Sequence, residues 1–157
     1  MFVSAGASRG WVLWVVGCVA VASLAACSNN QVKIESRPMP AGASFTGDWY
    51  SPQYENMTLT QTGATVRGTF TYKTGGELEG TLDGNVLYFK WSQPGDFKVA
   101  RRDVSGEGYF VMDESGDSFT GRWGYEDDNH SGGVWDAERL EKRQQEEGFD
   151  EPIFKRP

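Results

Sequence analysis

The chain has 157 residues, a formal net charge of −7, 20 glycines, 6 prolines and an aromatic fraction of 13%. That length fits one domain, and abundant glycine and aromatics suit short strands joined by tight turns better than a helical bundle. The acidic balance argues against a nucleic-acid partner, which needs a basic face, and two Cys with one His exclude a multi-Cys metal site or a disulfide framework.

Residues 1–26 carry no acid and a single base, Arg9, ahead of an uncharged stretch from Trp11 to Ala26. That stretch is shorter than the about 20 residues needed to cross a bilayer. It ends in small residues, the form of an export signal. Leu24-Ala25-Ala26-Cys27 resembles the lipobox of bacterial lipoproteins. The alternatives are an ordinary signal peptide with an incidental Cys and a membrane-anchored helix. The resemblance implies cleavage before Cys27, lipid attachment to Cys27, and, with Ser28 following it, sorting to the outer membrane. Several acyl chains on one residue make attachment stable, where a single chain holds only marginally. Cleavage removes Arg9 and Cys18, and lipidation consumes Cys27, so no free thiol is expected in the mature chain.

Residues 28–44 are polar, include Pro38 and Pro40, and read as a flexible linker between lipid and fold. From Phe45 to Arg139 short alternating runs are punctuated by Gly, Asn and Asp. Eight strands are predicted, over 45–50, 56–62, 65–73, 77–83, 85–92, 105–113, 117–125 and 133–139. The second places Met57, Leu59 and Gln61 on one face; the third places Val66, Phe70 and Tyr72 opposite Arg67, Thr69, Thr71 and Lys73. Leu78 and Leu82, then Leu87, Phe89 and Trp91, continue the period of two of half-buried strands. Short connections favour antiparallel neighbours, and closure removes the exposed edges of an open sheet. The fold class expected is therefore all-β, an eight-stranded antiparallel up-and-down barrel, with a β-sandwich as the rival. Gly68, Gly80 and Gly121 fall inside strands, where a small barrel bends. Phe45-Thr46-Gly47-Asp48-Trp49 and Phe119-Thr120-Gly121-Arg122-Trp123 share the pattern F-T-G-x-W, read as convergent strand chemistry, with an internal duplication as the alternative.

Gly47-Asp48-Trp49 on the first strand and Arg139 at the end of the last resemble the G-x-W and closing Arg of the lipocalin and avidin (calycin) group of meander barrels. The resemblance implies that Arg139 packs over Trp49 and closes the barrel, an arrangement stabilised by about 0.5–2 kcal/mol. Beyond the barrel, residues 140–147 are good helix formers, with Glu138 and Lys142 at i, i+4 spacing; Gly148 ends the run, and Phe149, Ile153 and Phe154 lie in an irregular tail.

Catalytic chemistry is sparse. His130 sits in an acid-rich loop, and no G-x-S-x-G pattern is present. Asp113, Glu114 and Asp117 surround Gly116 and read as turn-forming groups rather than a glycosidase pair. Glu126, Asp127 and Asp128 lack the spacing of a calcium loop, and Arg101-Arg102 reads as surface. Trp49, Tyr72, Phe89, Trp91, Trp123 and Trp135 are expected mainly in the core; Trp91, Trp123 and Trp135 are the candidates to face a sugar or apolar ligand at one mouth. No cofactor or metal is expected. The expectation is a non-enzymatic module anchored at the outer membrane, with another envelope protein as partner. The alternatives are a carrier of a small apolar ligand and a hydrolytic enzyme.

Overall fold

The computed structural model describes residues 31–96, 98, 100 and 102–146. The leader, Cys27, Arg101 and the tail residues Phe149, Ile153 and Phe154 lie outside the described residues. The strands are β1 (Gly47–Ser51), β2 (Glu55–Thr62), β3 (Thr65–Phe70), β4 (Gly76–Asp83), β5 (Val86–Gln93), β6 (Val104–Met112), β7 (Ser118–Trp123), β8 (Gly133–Val134) and β9 (Ala137–Arg139), followed by α1 (Leu140–Glu146). All pairings are antiparallel. Each strand pairs with the next from β1 to β7, and β9 returns to pair with both β7 and β1. The result is a closed eight-strand barrel.

β8 and β9 are two parts of one eighth strand. Trp123 pairs with Gly133 and Phe119 with Ala137 in a single register. Between them Trp135 N donates to Gly121 O (2.9 Å), while Gly121 N donates to the Asp136 carboxylate (3.2 Å) instead of a backbone carbonyl. A side chain thus replaces one rung of the ladder, and the strand predicted over 133–139 is interrupted without a register shift.

Alternation decides which residues enter. Trp49, Met57, Leu59, Val66, Phe70, Leu78, Leu87, Phe89, Trp91, Phe110, Met112, Phe119, Trp135 and Ala137 form one buried cluster. An eight-stranded barrel is just wide enough for side chains to fill it. Here they do so as an aromatic column: Trp135 against Phe110 (5.4 Å between ring centroids), Phe110 against Phe119 (4.4 Å), and Phe119 against Trp49 (4.7 Å) and Phe45 (5.6 Å). The column needs space beside it. A Cβ on Gly108 would lie 2.5 Å from Phe89 Cζ, so glycine there is the vacancy that the ring fills.

Three predicted boundaries shift. Phe45 precedes β1 and is fully buried, stoppering one end of the barrel instead of opening a strand. β3 ends at Phe70 instead of 73: Thr71 N still bonds to Asn56 O in the β2 register, and Gly75 N then bonds to Tyr72 O, turning the chain. β7 ends at Trp123 rather than 125, and Tyr125 joins the following loop. Glu138 lies in β9, so the expected i, i+4 pair with Lys142 does not form within a helix; Lys142 Nζ instead lies 3.9 Å from Asp117. In α1 the Arg143 guanidinium stands 3.8 Å from the Tyr50 ring centroid.

The larger correction concerns residues 31–44, expected as flexible linker. They form a strap fastened along the outer wall. Val32 N donates to Asn129 Oδ1 (2.8 Å) and Asn129 Nδ2 to Val32 O (2.9 Å). Ile34 N donates to the Tyr88 hydroxyl (2.8 Å), which donates back to Ile34 O (3.2 Å). Arg37 N donates to Asn85 Oδ1 (2.8 Å) and Asn85 N to Arg37 O (2.7 Å). The strap's backbone groups find partners in side chains spaced along the barrel, which satisfies the demand of part-buried amides without a strand ladder.

Candidate functional site

The two ends of the barrel differ. One is closed by Phe45 and Arg139. The Arg139 guanidinium stacks 4.4 Å from the Trp49 ring centroid. It donates to Thr46 O (3.0 Å), Ser44 O (2.7 Å) and Gly116 O (3.3 Å), and its Nε lies 3.7 Å from Asp117. Trp49 Nε1 donates to Phe45 O (2.9 Å), so plug, strand and cap form one unit. Gly47, at φ 141°, leaves room for the cap: a Cβ there would stand 2.6 Å from Arg139 Nη1.

The other end, ringed by the β1–β2, β3–β4, β5–β6 and β7–β8 loops, opens into a recess of about 150 Å3. Trp91, Trp123 and Trp135 stand on its wall and floor, with Tyr54, Tyr72 and Tyr125 added by the loops and Lys73 and Gln93 as polar members. The rings brace one another edge to face: Trp91 and Trp123 at 5.2 Å and 88°, Trp123 and Tyr125 at 5.0 Å and 81°, Tyr54 and Tyr72 at 5.2 Å and 90°. Such pairs stabilise by about 0.5–1.5 kcal/mol each beyond burial.

Hydrogen bonds fix the wall. Trp123 Nε1 donates to the Tyr54 hydroxyl (2.7 Å), Trp91 Nε1 to Gly124 O (3.1 Å) and Gln93 Nε2 to Tyr72 O (2.6 Å). Burial pushes the Tyr54 hydroxyl above the usual tyrosine range, against the opposing pull of the Trp123 bond. Lys73 Nζ sits 4.5 Å from the Tyr72 ring centroid. Trp135, 3% exposed, packs below against Phe70, Phe89 and Phe110 and separates recess from column. Its indole N–H has no hydrogen-bond partner among the described residues, a condition that costs a buried donor about 1–3 kcal/mol.

Sequence reasoning singled out the three tryptophans and Tyr72 but missed Tyr54, Tyr125, Lys73 and Gln93. Tyr54 and Tyr125 lie in turns, where alternation carries no signal; Gln93 is an inward position on β5 held by a polar residue. Larger grooves of about 560 and 470 Å3 lie on the outer wall, the first beside the strap between Arg37, Asn85 and Glu114. The first has no aromatic residue in its lining, and the second has Tyr88 and Phe89 among mainly polar residues and glycine.

The charged candidates lie apart from the recess lining. Asp113 binds its own turn: its oxygens accept from Ser115 Oγ (2.8 Å), Gly116 N (2.9 Å) and Ser118 Oγ (2.9 Å). Burial alone would raise its pKa; the hydrogen bonds from Ser115, Ser118 and Gly116 together outweigh it and hold the carboxyl below the usual range. Asp117 attends Arg139 and Lys142. Asp128 accepts from His130 N (2.8 Å) and Ser131 N (3.0 Å) and from the Ser131 hydroxyl, and lies 3.2 Å from His130 Nδ1. Among the described residues no three or more His, Cys, Asp or Glu are grouped to hold a metal ion. Nor is any helix there long and apolar enough to span a membrane.

Comparison with protein-family models, with curated proteins and with solved structures finds no significant match.

Proposed function

We propose that the protein is a calycin-like, lipid-anchored, non-enzymatic binding module of the bacterial outer membrane. It grips one ring-sized group of a larger envelope molecule in the aromatic mouth of its barrel. The observation that carries this reading is the recess itself: about 150 Å3 of space, walled by aromatics, at one end of a column otherwise filled with side chains. Space of that size admits a single ring of benzene dimensions, whereas pockets for whole small molecules run to about 300–1,000 Å3. The packing therefore favours recognition of a protruding group over carriage of an apolar ligand inside the barrel. The wall offers flat faces for stacking, with Lys73 and Gln93 as polar complements. Among the described residues that line the recess there is no Ser, Thr, Cys, His, Asp or Glu, which supports a binding rather than a catalytic reading.

Two measurements test it. Metabolic labelling with a clickable palmitate analogue reads the anchor: incorporation that disappears in Cys27→Ser supports it, and persistent labelling of that variant contradicts it. Native mass spectrometry of protein purified from its own host reads the barrel: the account predicts no co-purifying fatty acid or lipid within the fold, and a stoichiometric bound lipid mass contradicts it.

A further inference from the structure

The strap gives the barrel a direction. Its first described residues are fastened to the outer wall on the mouth side of Tyr88, Gln31 to Glu107 of β6 and Val32 to Asn129 of the β7–β8 loop. From there it descends past Tyr88 to Asn85 and the closed end, where the chain enters β1. The first described residue, Gln31, thus points toward the mouth end of the barrel, four positions after Cys27. Four residues span at most about 14 Å, at about 3.3–3.6 Å each. A lipid on Cys27 is thus tethered within that distance of Gln31, at the end of the strap directed toward the mouth and away from the Phe45–Arg139 cap.

Exposure is polarised the same way. Among the described residues the exposed large hydrophobic side chains are Val32 (39%), Tyr125 (54%) and Val134 (41%). Val32 begins the strap, Tyr125 lies in the β7–β8 loop and Val134 follows that loop directly, so all three lie at or next to the mouth. Charge at this end is mixed, Lys73, Lys98 and Arg102 against Asp96, Asp103, Glu126 and Asp127. Attraction to an anionic surface is therefore not what would hold it. Tyr and Trp, with an apolar ring and a polar tip, favour the headgroup level of any bilayer.

We infer that the aromatic mouth is a membrane-apposed face, seated against the headgroup layer of the bilayer that carries the protein's own lipid anchor. The inference rests on the lipid-anchor reading of Cys27. It deepens the proposed function by giving the recess its source of ligand, a group displayed at that surface. The closed end and its α1 side then face away from the bilayer.

The full-length, lipidated protein tests this in phosphatidylcholine vesicles that contain a headgroup-attached quencher. With Cys27 acylated, an added Cys is the one thiol available to a fluorophore. Tyr125→Cys and Asp127→Cys mark the mouth, the second without removing a ring, and Glu114→Cys marks the closed end. The expected result is quenching at 125 and 127 at least fivefold that at 114. Equal or reversed quenching, with the acyl mass present on the Cys27 peptide, overturns the orientation and leaves the anchor reading intact. A Cys27 peptide without acyl mass overturns both. Self-quenching of mouth labels, relieved by dilution with unlabelled protein, identifies a second copy as the occupant and overturns the membrane assignment.

Discussion

Arg139 ties Ser44, Thr46 and Gly116 together through one planar group while covering the Trp49 indole. A lysine is a point charge and cannot reach three carbonyls in this way. Loss of the stack and of the carbonyl bonds predicts that Arg139→Ala lowers unfolding free energy by about 2–4 kcal/mol, read from urea midpoints. Gly47→Ala, which puts a Cβ 2.6 Å from Arg139 Nη1 at a φ of 141°, is expected to cost about 1–3 kcal/mol in the same assay. Asp113 gives the pH dependence. Its carboxyl is depressed in the folded state, so its contribution is present above the unfolded value of about 3.9 and is lost as pH falls through the folded value. Asp113→Asn should therefore be less stable than the parent at pH 7 by about 1–2 kcal/mol, with the gap closing below about pH 4. A gap that widens on acidification contradicts this assignment.

The elements show what the sequence discloses and what it conceals. β2 and β5 were legible because one face of each meets a packed interior. Met57 and Leu59, then Leu87, Phe89 and Trp91, alternate with exposed or half-buried residues and register the core directly. The strap was not legible. Its order comes from Asn85, Tyr88 and Asn129, each more than 45 positions away in the chain, reaching out to a segment with no period of its own. Polar composition there reads as linker because the sequence does not show that distant amide and hydroxyl groups replace water. Tyr54 and Tyr125 were hidden for a related reason: they are placed by turns, and only closure of the barrel brings them to Trp91 and Trp123. The strap yields its own prediction. In native-state hydrogen exchange the Val32, Ile34 and Arg37 amides should be protected. Asn85→Ala should release Arg37, and Asn129→Ala should release Val32, each by local opening. Unprotected amides in the parent protein contradict the docked strap.

At the scale of the whole molecule, the barrel is a column of rings capped at one end by Arg139 and Phe45 and open at the other only as far as Trp135. Closure was legible from eight short strands and short connections, and the packing of Arg139 over Trp49 from the resemblance of Gly47-Asp48-Trp49 and Arg139 to the lipocalin and avidin group. Whether the interior was packed or hollow was not, because the same aromatic residues serve either case. The structure places Trp49 in the filled end and Trp91, Trp123 and Trp135 at the mouth, so the tryptophan side chains report on the two ends separately. The central claim is that binding space inside the barrel is confined to the recess. The most direct measurement is a titration of the 15N-labelled protein with phenol, followed through the indole N–H resonances. The account predicts saturable shifts at Trp91, Trp123 and Trp135, at about 1 mM or above, equivalent to about 4 kcal/mol, with Trp49 unmoved. A shift at Trp49 matching those at the mouth, or no saturable shift at any indole, would contradict it.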